Sequence, residues 1–294
     1  MVRKKRVNYK ISPLLISALF ILSVIFFSLL LTLNVKQTGE ESALAISSIK
    51  PAPALIPTPT ATFSPTPEST YLGFCLNVPM LLYHHVKSLD SAKESGQGFL
   101  TVDTQVFDAQ MQYLISKNYH TVSVDELAAA LINKTGLPPK SIVITLDDGY
   151  DDVYDNAYPI LYKYQLKANL MISTGLLGNS GYMSWDQLKR MVDAGLITAY
   201  DHSWSHASLT NLSDEKLKYE ILTAKQQLEE RLGKPANIFA YPYGSENQKV
   251  VNLLKENGFV AALSTIPGST QCDSFIMSLH RTRVGNVPLG QYGI

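Results

Sequence analysis

The chain has 294 residues, 46% hydrophobic and 17% charged, enough for one large domain with additional segments. Lys+Arg and Asp+Glu both total 25, so the formal charge is zero and no basic excess points to nucleic acid. That balance suits a neutral partner such as a sugar, and the two cysteines, Cys75 and Cys272, lie too far apart in sequence to read as a metal knuckle.

Arg3, Lys4, Lys5, Arg6 and Lys10 precede an uncharged stretch, residues 11–35, rich in Leu, Ile and Phe. About 20 apolar residues cross a bilayer core as a helix, and the basic flank predicts that residues 1–10 stay in the cytoplasm. A cleaved signal peptide is the competing reading, but its apolar region normally spans only about 7–15 residues. Ala43-Leu44-Ala45, which resembles a cleavage site, lies well past the apolar stretch. The sequence therefore predicts an uncleaved, single-pass signal anchor in the cell membrane, with the rest of the chain outside. Residues 36–71 read as a linker, with Pro51, Pro53, Pro57, Pro59, Pro65 and Pro67 among Thr, Ser and Ala. Such a segment builds no core and acts as a semi-rigid spacer. An oxidising compartment permits a Cys75–Cys272 disulfide, and two free thiols fit the sequence as well. Residues 72–294 form the remaining domain.

Within it, short apolar runs alternate with helical patterns. Val78 to Tyr83 reads as a strand ending in His84-His85. Phe107, Met111, Leu114 and Ile115 mark a helix over 104–116, and residues 119–122 a short strand. Ser123 and Glu126 form a capping box opening a helix to Leu131, and Ser184 and Gln187 form a second, opening a helix to Ala194. A helix is predicted over 156–164, and strands over 168–173 and 196–200. Leu217, Ile221, Ala224, Leu228 and Leu232 share one face of a long helix that Gly233 ends. Strands over 236–241 and 259–264 flank a helix over 249–257. This βα rhythm predicts a parallel sheet, open or closed into a barrel.

Chemistry gathers at strand ends. Ser141 to Leu146 is a continuous apolar run of the kind buried on both faces, and it ends in Asp147-Asp148-Gly149. Active sites of α/β folds sit at such C-terminal strand ends. Two adjacent carboxylates repel and need a cation or a shared proton; a solvated Asp-Asp-Gly turn is the plainer reading. His202-Ser203-Trp204-Ser205-His206 sets two imidazoles four residues apart. On a helix both would face one way and could chelate an ion. By themselves such pairs arise readily by coincidence. With one carboxylate of Asp147-Asp148 they give a two-His, one-carboxylate site with coordination positions left open.

The order Thr145-Leu146-Asp147-Asp148-Gly149-Tyr150, then His202 to His206, then Tyr241-Pro242-Tyr243-Gly244, resembles the polysaccharide deacetylase family, also called NodB-homology or carbohydrate esterase 4. The resemblance spans roughly residues 78–284. Val78-Pro79-Met80-Leu81-Leu82-Tyr83-His84-His85 is similar to the opening strand of the branch that includes poly-N-acetylglucosamine deacetylases. The resemblance implies a distorted (β/α) barrel of about seven strands, removal of acetyl groups from sugars, and a divalent metal: zinc first, nickel or cobalt as alternatives. It implies Asp147 as catalytic base and Asp148, His202 and His206 as metal ligands. The metal would polarise the amide carbonyl and lower the pKa of the attacking water, whose proton Asp147 takes. Tyr243 would supply a backbone N–H to the oxyanion and, with Pro242, one wall of the sugar groove. His280, after Leu279, matches the position of the family's general acid, with a surface histidine as the plainer reading. His84 is the alternative contributor, His85 reads as a buried strand-end histidine, and His120 has only a structural reading. The resemblance also implies that Trp185-Asp186 line the groove, as a similar Trp-Asp does in relatives, although first-turn residues behind an N-cap need no further reason.

The chain also departs from the family pattern. Ala240 stands where an arginine usually orients the base, and Arg281 and Arg283 are the candidates to replace it. Asp201 precedes the first histidine, as a partner behind the metal ligands or as a loop residue. The expectation is a metal-dependent N-deacetylase of an extracytoplasmic polysaccharide, of the peptidoglycan or poly-N-acetylglucosamine type. A non-catalytic glycan-binding module on the same scaffold and an O-acetyl esterase are the alternatives.

Overall fold

A computed structural model describes residues 71–294. The expected membrane segment and nearly all of the Pro-rich linker lie outside the described residues. Among the described residues no helix is long and apolar enough to cross a membrane.

The strands, in chain order, are β1 (Cys75–Asn77), β2 (Met80–Tyr83), β3 (His85–Val86), β4 (Thr101–Val102), β5 (His120–Thr121) and β6 (Ser141–Asp148). They continue with β7 (Ala168–Ile172), β8 (Ile197–Asp201), β9 (Ile238–Ala240), β10 (Ala261–Leu263), β11 (Thr270–Cys272) and β12 (Thr282–Arg283). Seven of them form a parallel sheet in the order β10-β9-β8-β7-β6-β2-β12, with β5 paired to the start of β6. The two ends of this sheet are joined just before β12. Leu279 bridges Leu263 in parallel register: its N–H donates to Ala262 O at 2.8 Å, and its carbonyl accepts from Ser264 N at 2.9 Å. The parallel sheet follows from the βα rhythm, which leaves it open or closed; the bridge by residues 279–283 fits the distorted barrel that the resemblance implies.

Side chains alternate across each strand. Met80, Val143, Met171, Tyr200, Ile238, Ala240, Ala261, Leu263 and Leu279 form one cluster inside the barrel, with Val124, Leu127 and Leu131 of the helix Val124–Asn133 packed against it. The intervening residues Leu81, Ile144, Leu170 and Ile172 face outward onto the helices Thr104–Ser116, Tyr158–Lys163 and Trp185–Asp193. Phe239, Tyr241 and Ala262 face outward onto the helices Asp214–Leu232 and Gln248–Glu256. Both faces of β6 are covered, and all eight of its residues are buried. Burying one such large apolar side chain is worth about 1.5–3 kcal/mol.

The helix starts follow their caps. Ser123 and Ser184 form the two predicted capping boxes, and Asp103, Ser213 and Asn247 cap three further helices. Gly233 ends the long helix in the left-handed region at φ 65°. The helix predicted over 156–164 instead opens with a wide π turn, Val153–Ala157, before Tyr158–Lys163. Pro159 has no N–H to return to the preceding turn, and Tyr158 N reaches back five residues to Val153 O. Val78 leaves the first predicted strand because its N–H pairs with Ser269 O at 2.8 Å. Outside the barrel, β1 and β11 pair antiparallel with Cys75 opposite Cys272, and a disulfide joins the two.

Candidate active site

Strand alternation decides which polar residues meet inside the barrel mouth. Val143, Thr145 and Asp147 share the inner face of β6; Tyr200 and His202 share that of β8; Leu279 and Arg281 share that of the closing segment. Asp147 is 2% exposed and Arg281 1% exposed. Arg281 Nη1 donates to Asp147 Oδ1 at 2.7 Å, and Arg281 Nε donates to Ser264 O at 2.8 Å. Thr145 Oγ1 donates to Leu81 O and accepts from Arg281 Nη1. Arg281 is therefore the guanidinium that replaces the one absent at Ala240. Arg283, the other candidate, lies over the Phe99 ring at 5.1 Å.

Asp148 begins the turn out of β6 with φ 77°, and Gly149 follows at φ 89°. A Cβ on Gly149 would stand 3.2 Å from Leu177 and 3.3 Å from Ile172, so both the backbone angle and the space favour glycine. The turn aims Asp148 at the histidines: Oδ1 lies 3.1 Å from His206 Nε2 and 3.4 Å from His202 Nε2. One ligand atom from each of Asp148, His202 and His206 falls within 4.8 Å of the others. Asp148 Oδ1 is buried without a hydrogen-bond partner. His202 Nδ1 donates to Ala240 O at 2.7 Å, which fixes the tautomer and frees Nε2 as a ligand. An orphaned carboxylate oxygen and two imidazole nitrogens converging on one point fit a divalent cation with open positions.

The histidine pair is not on a helix. Residues 202–206 form a loop in which Ser203 and His206 take left-handed φ of 65° and 59°. The shared direction expected from i,i+4 helical spacing is produced here by these two backbone reversals.

Electrostatics divide the two aspartates from their surroundings. Burial alone would raise Asp147, but the charges of Arg281, His202 and His84 outweigh it and hold the carboxyl below the usual range. Asp148 follows the same pattern, with His202 and His206 holding it well below that range against burial. Burial presses His202 down, yet its contact with Asp148 and the charges of both aspartates raise it. His206 is lowered, by burial and then by His202. His84 is lowered to about 4 by burial, although both aspartates pull it upward. His84 follows Met80 and Leu82 at the period of two that faces the barrel interior.

Tyr243 stands at the rim, 71% exposed, with φ 60° and its ring edge-on to His206 at 4.5 Å, while Pro242 is buried behind it. Two expected residues are elsewhere. His280 neighbours Arg281 and so points the other way, stacking on Phe275 at 4.6 Å outside the barrel. Trp185 packs on the outer core with Arg231 lying 4.8 Å over its ring, so it lines no groove at the mouth. His85 is buried, its Nδ1 2.6 Å from Asp152 Oδ2 and its ring stacked 3.6 Å from Tyr150. His120 is exposed beside Pro139 O. Asp201 lies on the outer face of β8, fully buried, and accepts from Ser203 N at 2.8 Å.

Sequence reasoning missed Tyr150 and Tyr182, stacked at 5.0 Å beside Asp148. Burial, and then the charge of Asp148, push both phenols up. Tyr150 directly follows the Asp-Asp-Gly turn, a signal that was available. Tyr182 had none.

The polysaccharide deacetylase family profile matches residues 134–262, which hold the aspartate, histidine and Tyr-Pro-Tyr-Gly motifs. The Bacillus subtilis (strain 168) protein YxkH, itself grouped with polysaccharide deacetylases, is 29% identical over 207 residues, covering 70% of this chain and 71% of that one. The Escherichia coli (strain K12) poly-beta-1,6-N-acetyl-D-glucosamine N-deacetylase is 22% identical over 251 residues, covering 70% of this chain and 36% of that enzyme. Among solved structures, the Streptococcus pyogenes deacetylase PplD in complex with acetate superposes with a TM-score of 0.67 at 29% identity, covering 71% of this chain and 92% of that one. Barrel, ordered motifs and relatives agree: residues 134–262 match the polysaccharide deacetylase family, and the chain is similar to its members over about 70% of its length.

Proposed function

We propose that the chain removes N-acetyl groups from an extracytoplasmic polysaccharide of the poly-N-acetylglucosamine or peptidoglycan type, using a divalent cation, zinc first, held by Asp148, His202 and His206. The observation that carries this reading is the division of labour between adjacent aspartates. Asp148 points an unpartnered oxygen at two histidines, whereas Asp147 is anchored through one oxygen to Arg281 and keeps the other free. The relative named for poly-beta-1,6-N-acetyl-D-glucosamine supports the substrate class.

The bound cation supplies Lewis acidity, polarising the acetyl carbonyl and making water more acidic. The chain's residues do the rest. Asp147 Oδ2, 3.8 Å from His202 Nε2, faces the cation-holding group and takes the proton of the attacking water. Arg281 keeps Asp147 ionised and fixes its direction. His202 is held by Ala240 O, so its ring cannot turn away. The backbone N–H of Tyr243 is offered to the developing oxyanion, and its exposed ring forms a wall for the sugar. Collapse breaks the C–N bond, releasing acetate and a sugar amine. The proton for that amine returns from Asp147, with His84 rather than His280 as the second group within the site.

A retired, glycan-binding scaffold is motivated by Ala240 and by the altered approach to His202, and the Arg281–Asp147 contact answers the first of these. The Cys75–Cys272 disulfide supports a location outside the cytoplasm, and the basic, then apolar, N-terminus supports a membrane anchor with residues 1–10 cytoplasmic. The test is acetate release by the zinc-loaded protein from a panel of N-acetylglucosamine polymers and peptidoglycan. Release that chelation abolishes and zinc restores is expected. No release from any of them, or release only from an O-acetyl ester, overturns the proposal.

A further inference from the structure

The loop between the two histidines is held through its backbone: Ser173 Oγ donates to His202 O at 3.0 Å and Thr174 N to Ser203 O at 3.3 Å. Its three intervening N–H groups are all taken: Ser203 N by Asp201 Oδ1, Trp204 N by Glu220 O and Ser205 N by Glu220 Oε2, each at 2.8 Å. Ser205 Oγ also donates to Glu220 Oε1 at 2.6 Å. Glu220 thus uses both carboxylate oxygens on the residue next to His206, and its carbonyl on the residue before that.

Its position makes this use notable. On the helix Asp214–Leu232, Leu217, Ile221, Ala224 and Leu228 are the apolar buried face, and Glu220 lies within that stripe, 8% exposed. A carboxylate there is costly unless its oxygens are satisfied. Both oxygens are satisfied by the loop, and neither touches Asp147, Asp148 or an imidazole. The loop itself needs such help, since Ser203 and His206 both hold left-handed φ without being glycine. Trp204 is fixed in the same region, its carbonyl accepting from Gly175 N at 2.7 Å. A Cβ on Gly175 would fall 2.5 Å from the Trp204 ring.

We propose that Glu220 is a positioning residue for His206: it presets the loop so that His206 Nε2 meets Asp148 before any cation arrives. This rests on the reading of Asp148, His202 and His206 as a cation site. Replacing the side chain leaves the Trp204 and Ser203 anchors intact, because these use the Glu220 carbonyl and Asp201. The effect is therefore confined to Ser205 and its neighbour His206.

The experiment is a Zn2+ titration of the full-length chain, as wild type, Glu220→Ala, Glu220→Gln, Ser205→Ala and His206→Ala, with metal-free melting curves alongside. Glu220→Ala is expected to weaken Zn2+ about tenfold or more, the scale seen for groups that orient metal ligands. Glu220→Gln, which keeps one acceptor, falls between it and Ser205→Ala, which keeps the N–H bond. The visible spectrum of the Co2+-loaded Glu220→Ala protein moves toward that of His206→Ala. KM for an N-acetylglucosamine polymer stays near wild type while kcat falls with metal occupancy. If Glu220→Ala gives no cooperative melt, the graded loss from wild type through Ser205→Ala to Glu220→Gln carries the test. Wild-type Zn2+ affinity in both Glu220 variants, with loss in His206→Ala, overturns the positioning role alone. Wild-type affinity in His206→Ala overturns the cation site, and this proposal with it.

Discussion

Asp147 and Asp201 are both removed from water, on opposite faces of the same barrel wall, and their carboxyls are shifted in opposite directions. Asp147 points inward and meets a guanidinium at 2.7 Å, which holds it ionised. Asp201 points outward beneath the long helix, and burial raises it well above the ordinary carboxylate value. It accepts one backbone N–H, and its Oδ2 has no partner. Burial sets the cost of charge, and the partner decides whether the charge persists. The inward carboxylate is held toward its charged form by Arg281, and the outward one is pushed toward its neutral form beneath the loop of His202 and His206.

Asp147→Asn breaks the comparison most severely. The amide oxygen can still accept from Arg281 but leaves the buried guanidinium without a counter-charge, so stability falls by up to about 3–5 kcal/mol, and in the folded protein acetate release falls about 10²–10⁴-fold for want of a base. Arg281→Met attacks the same pair from the other side. It strands Asp147 as a buried, unpaired carboxylate, a change that costs about 3–5 kcal/mol in denaturant titration. In the surviving protein burial then raises Asp147, so the acid limb of the pH–rate profile moves to higher pH.

A third prediction concerns acid stability of the metal-free protein. His84 is neutral when folded down to about 4, against 6.5 when exposed. Between those values the unfolded chain binds a proton that the folded chain refuses. Stability therefore falls as the pH drops through that window, by up to about 3 kcal/mol. Asp147 and Asp148 stay ionised below it, so their contribution is lost only at lower pH. Denaturant titrations across the window should flatten in His84→Gln. The smallest effect belongs to Asp201→Asn. Burial already disfavours the charged form of this carboxyl, and the amide oxygen still accepts Ser203 N–H, so stability shifts by less than about 1 kcal/mol. A loss comparable to that of Arg281→Met would show that Asp201 is charged.

Much of this was legible in the sequence. The apolar run ending in Asp147-Asp148, the two capping boxes and the Leu217 to Leu232 stripe each carry a period or a cap that physics reads directly. The cysteine pair was legible only as a permission; its register opposite across β1 and β11 needed the fold. The histidine loop was not legible, because nothing in Ser203 or His206 announces a left-handed backbone. Alternation along the closing segment contained more than was drawn from it. Arg281 and His280 are neighbours in extended chain, so only one of them can face the barrel interior, and the arginine's partner was already there. Trp185 misled because its place behind an N-cap fixes the helix start but not which surface the ring covers.

The closing segment has one more consequence, for the order in which the enzyme is completed. The aspartates, both histidines and Tyr243 have all been synthesised by residue 243, but the arginine that orients the base comes at 281, in the stretch that bridges β10 and β2. A chain ending at residue 278 would carry the full Asp-His-His set beside an unaimed carboxylate. The last stretch of the barrel in chain order therefore carries the group that aims Asp147, and a chain that stops short of it lacks that contact while keeping the Asp-His-His group.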